Sequence, residues 1–246
     1  MSNVLVTIIT VSYNSESTIR KVIESVLNQT YQHIEYLVID GNSSDQTVEI
    51  AYSYVNKFKE KGITYRVISE KDRGMYDALN KGVSLASGDI IGQINSDDWY
   101  ENDAIESVVA CFQKTKFDVF YANLRVITKS KIFIKKARFS WYKTSRYWNH
   151  PTTFIRSEVY KKNKYAEISM YDDFDLFLRL CRGNYKIVTL DKVLASFCFG
   201  GMSNKKNLNE VMKRCTLRWN NYRRNGYSFI YYFDGALTEI VKYMLS

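Results

Sequence analysis

Two carboxylates stand side by side at Asp97 and Asp98, in the tetrapeptide Asn95-Ser96-Asp97-Asp98 that follows a short apolar run. Adjacent carboxylates repel each other unless a cation or hydrogen-bond donors stabilise them. A hard divalent cation such as Mg²⁺ or Mn²⁺ takes a few carboxylate oxygens and completes its shell with oxygens of a substrate phosphate. One aspartate can hold that metal while its neighbour holds ribose hydroxyls. The competing reading is that both favour the dipole of a following helix. Asp40 follows another apolar run and precedes Gly41-Asn42-Ser43-Ser44; it can accept from a nucleobase N–H or a ribose hydroxyl, or close an Asx turn. Asp72 and Arg73 lie before Gly74. The arginine fork suits a diphosphate, and a local salt bridge is the alternative.

These residues need elements that bring them together. Residues 4–11, 34–39, 63–68 and 90–94 are short apolar, β-branched runs of the kind that form strands buried on both faces. Between them, Ile19, Val22, Ile23, Val26 and Leu27 recur at helical spacing, as do Val48, Ala51, Tyr52, Val55 and Phe58, and then Met75, Ala78, Leu79 and Val83. A fourth helix is expected through Ile105, Val108, Val109 and Phe112, with Ser15 or Ser17 capping the first. Strand and helix thus alternate with short connections, which predicts an α/β fold with a doubly wound, mostly parallel sheet. In such sheets ligands bind outside the carboxyl ends of the strands. The polar clusters at 12–15, 40–45, 69–74 and 95–98 all fall there and should converge on one crevice. Past residue 115 the pattern loosens into strand-like pieces at 119–124, 131–134, 152–155 and 186–190 and a short helix through Phe174, Phe177, Leu178 and Cys181. The helically spaced tail comprises Ile230, Phe233, Leu237, Ile240, Val241 and Met244.

The chain has 246 residues, of which 46% are hydrophobic, so it can bury a sizeable core and is not disordered. Its four cysteines form no C-x-x-C pair, which points to a reducing compartment rather than a disulfide framework. No stretch approaches the ~20 apolar residues of a spanning helix, and the start lacks the pattern of a signal peptide; a cytoplasmic location is expected. The net charge of +9 is uneven: residues 1–128 carry −5 and residues 129–246 carry +14. The basic half should face something anionic.

The run from Thr7 to Asn14 (TIITVSYN) resembles the family 2 glycosyltransferases. So do Ser25 to Tyr31, Asp40 to Thr47, Gly74 to Gly82, Ala86 to Asp89 and Asn95 to Asp98, in that order and spacing across about residues 4–115. Weaker similarity continues at Asn149 to Phe154 and Asp172 to Leu180. The resemblance implies a GT-A fold, a nucleotide-diphospho-sugar donor, a divalent cation (Mn²⁺ or Mg²⁺) and inversion at the anomeric carbon. Carried over, the Val11 backbone and Tyr13 flank the base, Asp40 accepts from it, Asp97 touches ribose or sugar, and Asp98 binds the metal. An acidic group ahead of a Leu-Arg-Leu helix supplies the base that takes the acceptor's proton. Asp173 is the first choice, Asp172 and Asp175 are alternatives, and helix capping is the competing role. His150 positions the acceptor or the leaving diphosphate, or is a packed core histidine. Two departures stand out. Val11-Ser12 replaces the family's frequent Pro-Thr, which a backbone contact survives, and Pro151 replaces the Gln that often follows the histidine.

The implied division is a nucleotide-sugar-binding half at 1–115, an acceptor and catalytic-base half at 116–200 and a helical extension at 201–246. The acceptor is a glycan or a lipid-linked hydroxyl in capsule, O-antigen or exopolysaccharide synthesis, and the donor a UDP-sugar. Basic-aromatic segments at 135–143 and 218–224 suit anionic headgroups and predict peripheral association with the inner face of the cell membrane. A nucleic-acid-binding protein is the rival from another class, but no module signature accompanies the basic half and no nucleic acid is expected. An inactive nucleotide-sugar binder is disfavoured by intact Asp97, Asp98 and Asp173. A dinucleotide dehydrogenase is disfavoured because no G-x-G-x-x-G follows the first strand.

Overall fold

The computed structural model describes residues 4–198 and 208–245. Its frame is one nine-stranded sheet. The first strands are β1 (Val6–Ser12), β2 (Ile34–Asp40), β3 (Thr64–Ser69) and β4 (Ile90–Gln93), followed by β5 (Trp99–Tyr100), β6 (Val119–Ile127), β7 (Ile132–Lys135), β8 (Phe154–Arg156) and β9 (Ile187–Cys198). Their order is β3-β2-β1-β4-β8-β6-β9-β5, with β7 paired to β6. β1 pairs in parallel with β2 and β4, and β2 with β3, so four carboxyl ends point the same way. Beyond β4 the sheet turns mixed: β8 runs antiparallel to β4 and β6, while β9 runs parallel to β6.

β1 and β2 are buried along their whole length. Because side chains alternate across a strand, Val6, Ile8, Tyr36 and Val38 feed a core on one face, and Ile9, Val11, Leu37 and Ile39 one on the other. α1 (Ile19–Leu27) and α5 (Ala104–Thr115) cover the first face, α4 (Met75–Leu85) the second. α4 approaches closely because it carries Gly82, where an added Cβ would sit 2.7 Å from an Ile9 methyl. α6 (Ser157–Lys162) and α7 (Asp172–Arg182) extend the second face. α8 (Leu208–Arg224) and α9 (Ile230–Leu245) form a hairpin that packs on α7 through a third core containing Phe174, Tyr222 and Tyr231.

Several local expectations change. The second helix divides into α2 (Thr47–Tyr52) and α3 (Val55–Glu60), since the Ser53 hydroxyl donates to the Ile50 carbonyl at 2.6 Å and competes with the helical ladder. Neither Ser15 nor Ser17 caps α1 through its side chain; the Ser15 carbonyl accepts from Ile19 N–H at 2.9 Å. Asp97 and Asp98 do not open a helix, because β5 intervenes and α5 starts at Ala104. The strand expected at 186–190 runs on to Cys198. The basic-aromatic stretch 218–224 lies on α8, and part of it is core rather than surface: Arg218 and Tyr222 are buried. Of the tail positions, the side chains of Val241 and Met244 lie outside the described residues.

Candidate active site

The polar loops after the four parallel strands do converge. After β1, Asn14 N–H donates to the Ser43 hydroxyl at 2.8 Å, and its own amide oxygen accepts from Ser44 N–H at 2.9 Å, tying this loop to the one after β2. Ser15 Oγ lies 2.9 Å from Ser96 Oγ, tying it to the loop after β4. Asn14 and Asn42 both have positive φ (47° and 64°), a conformation asparagine tolerates better than most residues.

Asp40 sits at the centre of this knot. Its carboxylate accepts from the Ser12, Ser43 and Ser69 hydroxyls at 3.0, 2.5 and 2.7 Å and from Ser43 N–H at 2.9 Å. The backbone bond comes from the N–H three residues on, not the two of an Asx turn, and the buried side chain also joins the ends of β1, β2 and β3. Asp72 leans on the same loop: a Cβ added to Gly41 would meet its Oδ2 at 2.6 Å, and its Oδ1 accepts from Gly74 N–H at 2.8 Å. Val11 is buried, whereas Tyr13 stands exposed at the rim. Arg73 is engaged elsewhere, in ion pairs with Asp77 (2.8 Å) and Glu167 (2.9 Å) and with 76% of its side chain in solvent.

Asp97 is half-buried, and burial raises its pKa. Asp98 is fully buried. Its Oδ1 accepts from Cys198 N–H at 3.3 Å, and among the described residues its Oδ2 has no hydrogen-bond partner. Burial, and then the neighbouring charge of Asp97, push its pKa well above the carboxylate range against the weaker pull of Cys198 N–H. An orphaned buried carboxylate oxygen beside a second carboxylate is what a cation would relieve. Among the described residues no group of three His, Cys, Asp or Glu side chains forms a closed metal cage.

The acidic trio at the start of α7 divides by partner. Asp172 is buried and accepts from Ile168 N–H (2.6 Å) and Ser169 N–H (2.9 Å), closing the preceding turn. Asp175 is buried between Arg179 and Arg224, each at 3.0 Å, and so ties α7 to α8. Asp173 keeps 25% of its side chain exposed. Its Oδ1 accepts from Phe174 N–H at 2.7 Å and the Tyr76 hydroxyl at 3.2 Å, while Oδ2 faces His150 Nδ1 at 4.0 Å.

Gln93, the polar residue in the otherwise apolar run 90–94, organises that histidine. Its amide oxygen accepts from the Tyr160 and Tyr165 hydroxyls at 2.7 and 2.6 Å, so its NH₂ donates to His150 Nε2. Nε2 is then an acceptor and the imidazole proton sits on Nδ1, toward Asp173. Burial lowers the His150 pKa and so favours the neutral ring, against the opposing pull of Asp173. Tyr76, which burial and Asp173 hold protonated, Tyr165 and Trp148 complete the enclosure. Of these supporting residues only Tyr76 lies in a quoted run, Gly74 to Gly82. A glutamine interrupting a buried strand run was the available signal for Gln93; Tyr160 and Tyr165 carried none. The strand that ends at Gln93 continues directly into Asn95–Asp98, so one chain segment serves both the aspartate pair and the His150–Asp173 pair.

Comparison with known proteins gives consistent results. A glycosyltransferase of PGL/p-HBAD biosynthesis from Mycobacterium bovis (strain BCG / Pasteur 1173P2) is 27% identical over 229 residues, covering 87% of this chain and 85% of its own. The crystal structure of S. aureus TarS 1–349 in complex with UDP-GlcNAc superposes with a TM-score of 0.68 at 16% identity, over 97% of this chain and 72% of that one. The mannosyltransferase PcManGT from Pyrobaculum calidifontis, solved with GDP-Man and Mn²⁺, superposes with a TM-score of 0.67 at 15% identity, over 98% and 70%. Both likenesses identify the architecture as a GT-A-type fold. The Glycosyl transferase family 2 model matches residues 7–171, and the chain belongs to that family.

Proposed function

We propose that this glycosyltransferase moves a sugar, with inversion, from a UDP-sugar to a hydroxyl of a glycan or lipid-linked acceptor in capsule, O-antigen or exopolysaccharide synthesis. One observation carries the chemistry: of the three acids at the start of α7, Asp173 alone has a carboxylate oxygen with no protein donor within hydrogen-bond reach among the described residues. Asp173 Oδ2 takes the proton of the acceptor hydroxyl as its oxygen bonds to the anomeric carbon. The bond from that carbon to the diphosphate oxygen breaks at the same time, and its electron pair leaves with the diphosphate. Tyr76 and Phe174 N–H hold Oδ1, so the free oxygen keeps one direction. His150 Nδ1 faces this oxygen at 4.0 Å.

On the donor side, Tyr13 and the Val11 backbone flank the base. Asp40 and Asp72 shape the base and ribose end, with Asp40 exchanging one serine donor for a nucleobase N–H. Asp97 contacts ribose or sugar. Arg73 reaches the diphosphate only by leaving Asp77 and Glu167. Asp98, with Asp97 beside it, would hold Mn²⁺ or Mg²⁺, which when bound supplies Lewis-acid stabilisation of the departing diphosphate. Residues 1–115 thus serve the donor, 116–200 the base and acceptor, and 201–246 form an extension. Among the described residues no helix is long and apolar enough to cross a membrane; we place the enzyme in the cytoplasm, peripherally at an anionic inner-membrane surface. No observation favours a nucleic-acid partner.

The test is donor hydrolysis across a panel of nucleotide sugars with Mn²⁺, with and without EDTA. Turnover of one UDP-sugar, abolished by EDTA and by Asp98→Ala, is expected. Normal turnover by Asp98→Ala overturns the metal assignment.

A further inference from the structure

The α8–α9 hairpin is built inside out. The two acids of α9, Asp234 and Glu239, are buried. Asp234 pairs with Arg146 at 2.5 Å, and Glu239 with Arg218 at 2.5 Å and Arg214 at 2.9 Å. The outward face instead carries Ile230, Phe233, Leu237 and Ile240 at 3-4-3 spacing, with Phe233 63% exposed. Among the described residues of α9, every exposed side chain is aliphatic or aromatic. An ordinary surface helix shows the reverse pattern, and a continuous exposed apolar stripe marks an interaction surface.

What surrounds the stripe identifies its occupant. On α8 the exposed ionisable side chains among the described residues are cationic, Lys213 and Arg223 among them, and the acid Glu210 is only partly exposed. The basic-aromatic segment around residue 141 packs on the inward face of the same helix: Tyr142 stacks on the buried Tyr231 of α9 with ring centroids 4.6 Å apart, and Trp141, next in sequence, is 87% exposed. Lys143 lies 3.6 Å above the exposed Phe139 ring. An apolar stripe on a helix whose hairpin partner exposes cations matches a helix lying in the headgroup region of an anionic bilayer. A two-fold contact with a second copy would bring these like charges together. We propose that the exposed stripe of α9 is the membrane-docking face of this protein and seats it on anionic lipid. This deepens the membrane placement proposed above and is independent of the transfer chemistry.

Flotation of the full chain with phosphatidylglycerol/phosphatidylcholine vesicles tests it, against pure phosphatidylcholine vesicles and with donor hydrolysis measured in vesicle-free buffer. The wild type should float with the anionic vesicles at low salt. The double variant Phe233→Glu/Leu237→Glu should lose roughly tenfold or more of that binding, and Lys213→Gln/Arg223→Gln should weaken it, both with unchanged hydrolysis. The inference is overturned if the wild type does not float, or if the stripe variant floats equally well. It is also overturned if the wild type sediments as a dimer that the stripe variant dissociates, without vesicle binding in either. Loss of hydrolysis by the wild type as well would count against the transfer reading and leave the docking result standing.

Discussion

Replacing Asp173 by asparagine separates chemistry from scaffolding, because the two oxygens of this carboxylate do different work. Oδ1 accepts from Phe174 N–H and Tyr76. In the asparagine the amide oxygen must stay there, which directs the NH₂ into the Oδ2 position, where it cannot take a proton. Hydrogen bonds to a charged acceptor contribute ~1.5–3 kcal/mol and those to a neutral one ~0.5–1.5 kcal/mol. Converting two of them costs on the order of 2 kcal/mol, less here because the side chain is 25% exposed. For a chain of this size that lowers the melting temperature by under about 10 °C, so the variant stays folded at assay temperature. Loss of a general base lowers turnover by about 10²–10⁴. Asp172→Ala and Asp175→Ala should behave in the opposite way. The first loses a turn closure worth ~1 kcal/mol. The second leaves Arg179 and Arg224 without their carboxylate and costs about 3 kcal/mol. Both should retain turnover wherever they remain folded. The assay is nucleotide release from the donor, paired with thermal unfolding of each variant. Turnover by Asp173→Asn within about twofold of wild type would refute the assignment. So would a hundredfold loss in Asp172→Ala or Asp175→Ala with an unshifted unfolding midpoint.

Two further outcomes follow from buried groups. The His150 pKa is depressed from the ordinary 6.5, chiefly by burial. The unfolded chain therefore binds the extra proton first as pH falls, and stability present above pH 6.5 declines from there toward the folded pKa; His150→Gln should flatten that part of the stability–pH curve measured by chemical denaturation. Glu239→Gln removes a fully buried charge shared by Arg214, Arg218 and Tyr171. Calorimetry should show a loss of ~3 kcal/mol or more, and adding Arg218→Met should recover part of it.

The parallel half of the sheet was legible because strands buried on both faces leave continuous apolar runs. β1, β2 and β4 contain few residues that could belong anywhere else, and the polar clusters after them name the strand ends. Beyond residue 115 that signal fades, since β7 is mostly exposed and β9 is only partly buried. A two-residue strand such as β5 has no periodicity to read. α8 was hidden because its buried positions include Arg214, Arg218 and Asn221, whose burial depends on Glu239 and Tyr171 from other elements.

Within the candidate site, residue types alone determined that carboxylates at the strand ends and at the start of α7 were available for metal, ribose and proton transfer. They also determined that the loops carrying the donor-side groups would share one end of the sheet, because parallel βαβ connections leave no other arrangement. Which carboxylate is free and which is consumed was decided only in three dimensions. Asp172, Asp173 and Asp175 are the same residue type within four positions, and so are Asp40 and Asp98 at two strand ends. Their surroundings diverge because hydrogen-bond donors distant in sequence reach Asp40 and Asp175, local backbone N–H groups close on Asp172, and among the described residues one oxygen each of Asp98 and Asp173 is left without a donor. A side chain's chemistry belongs to its residue type, but its vacancy depends on what the rest of the chain brings within 3 Å of it.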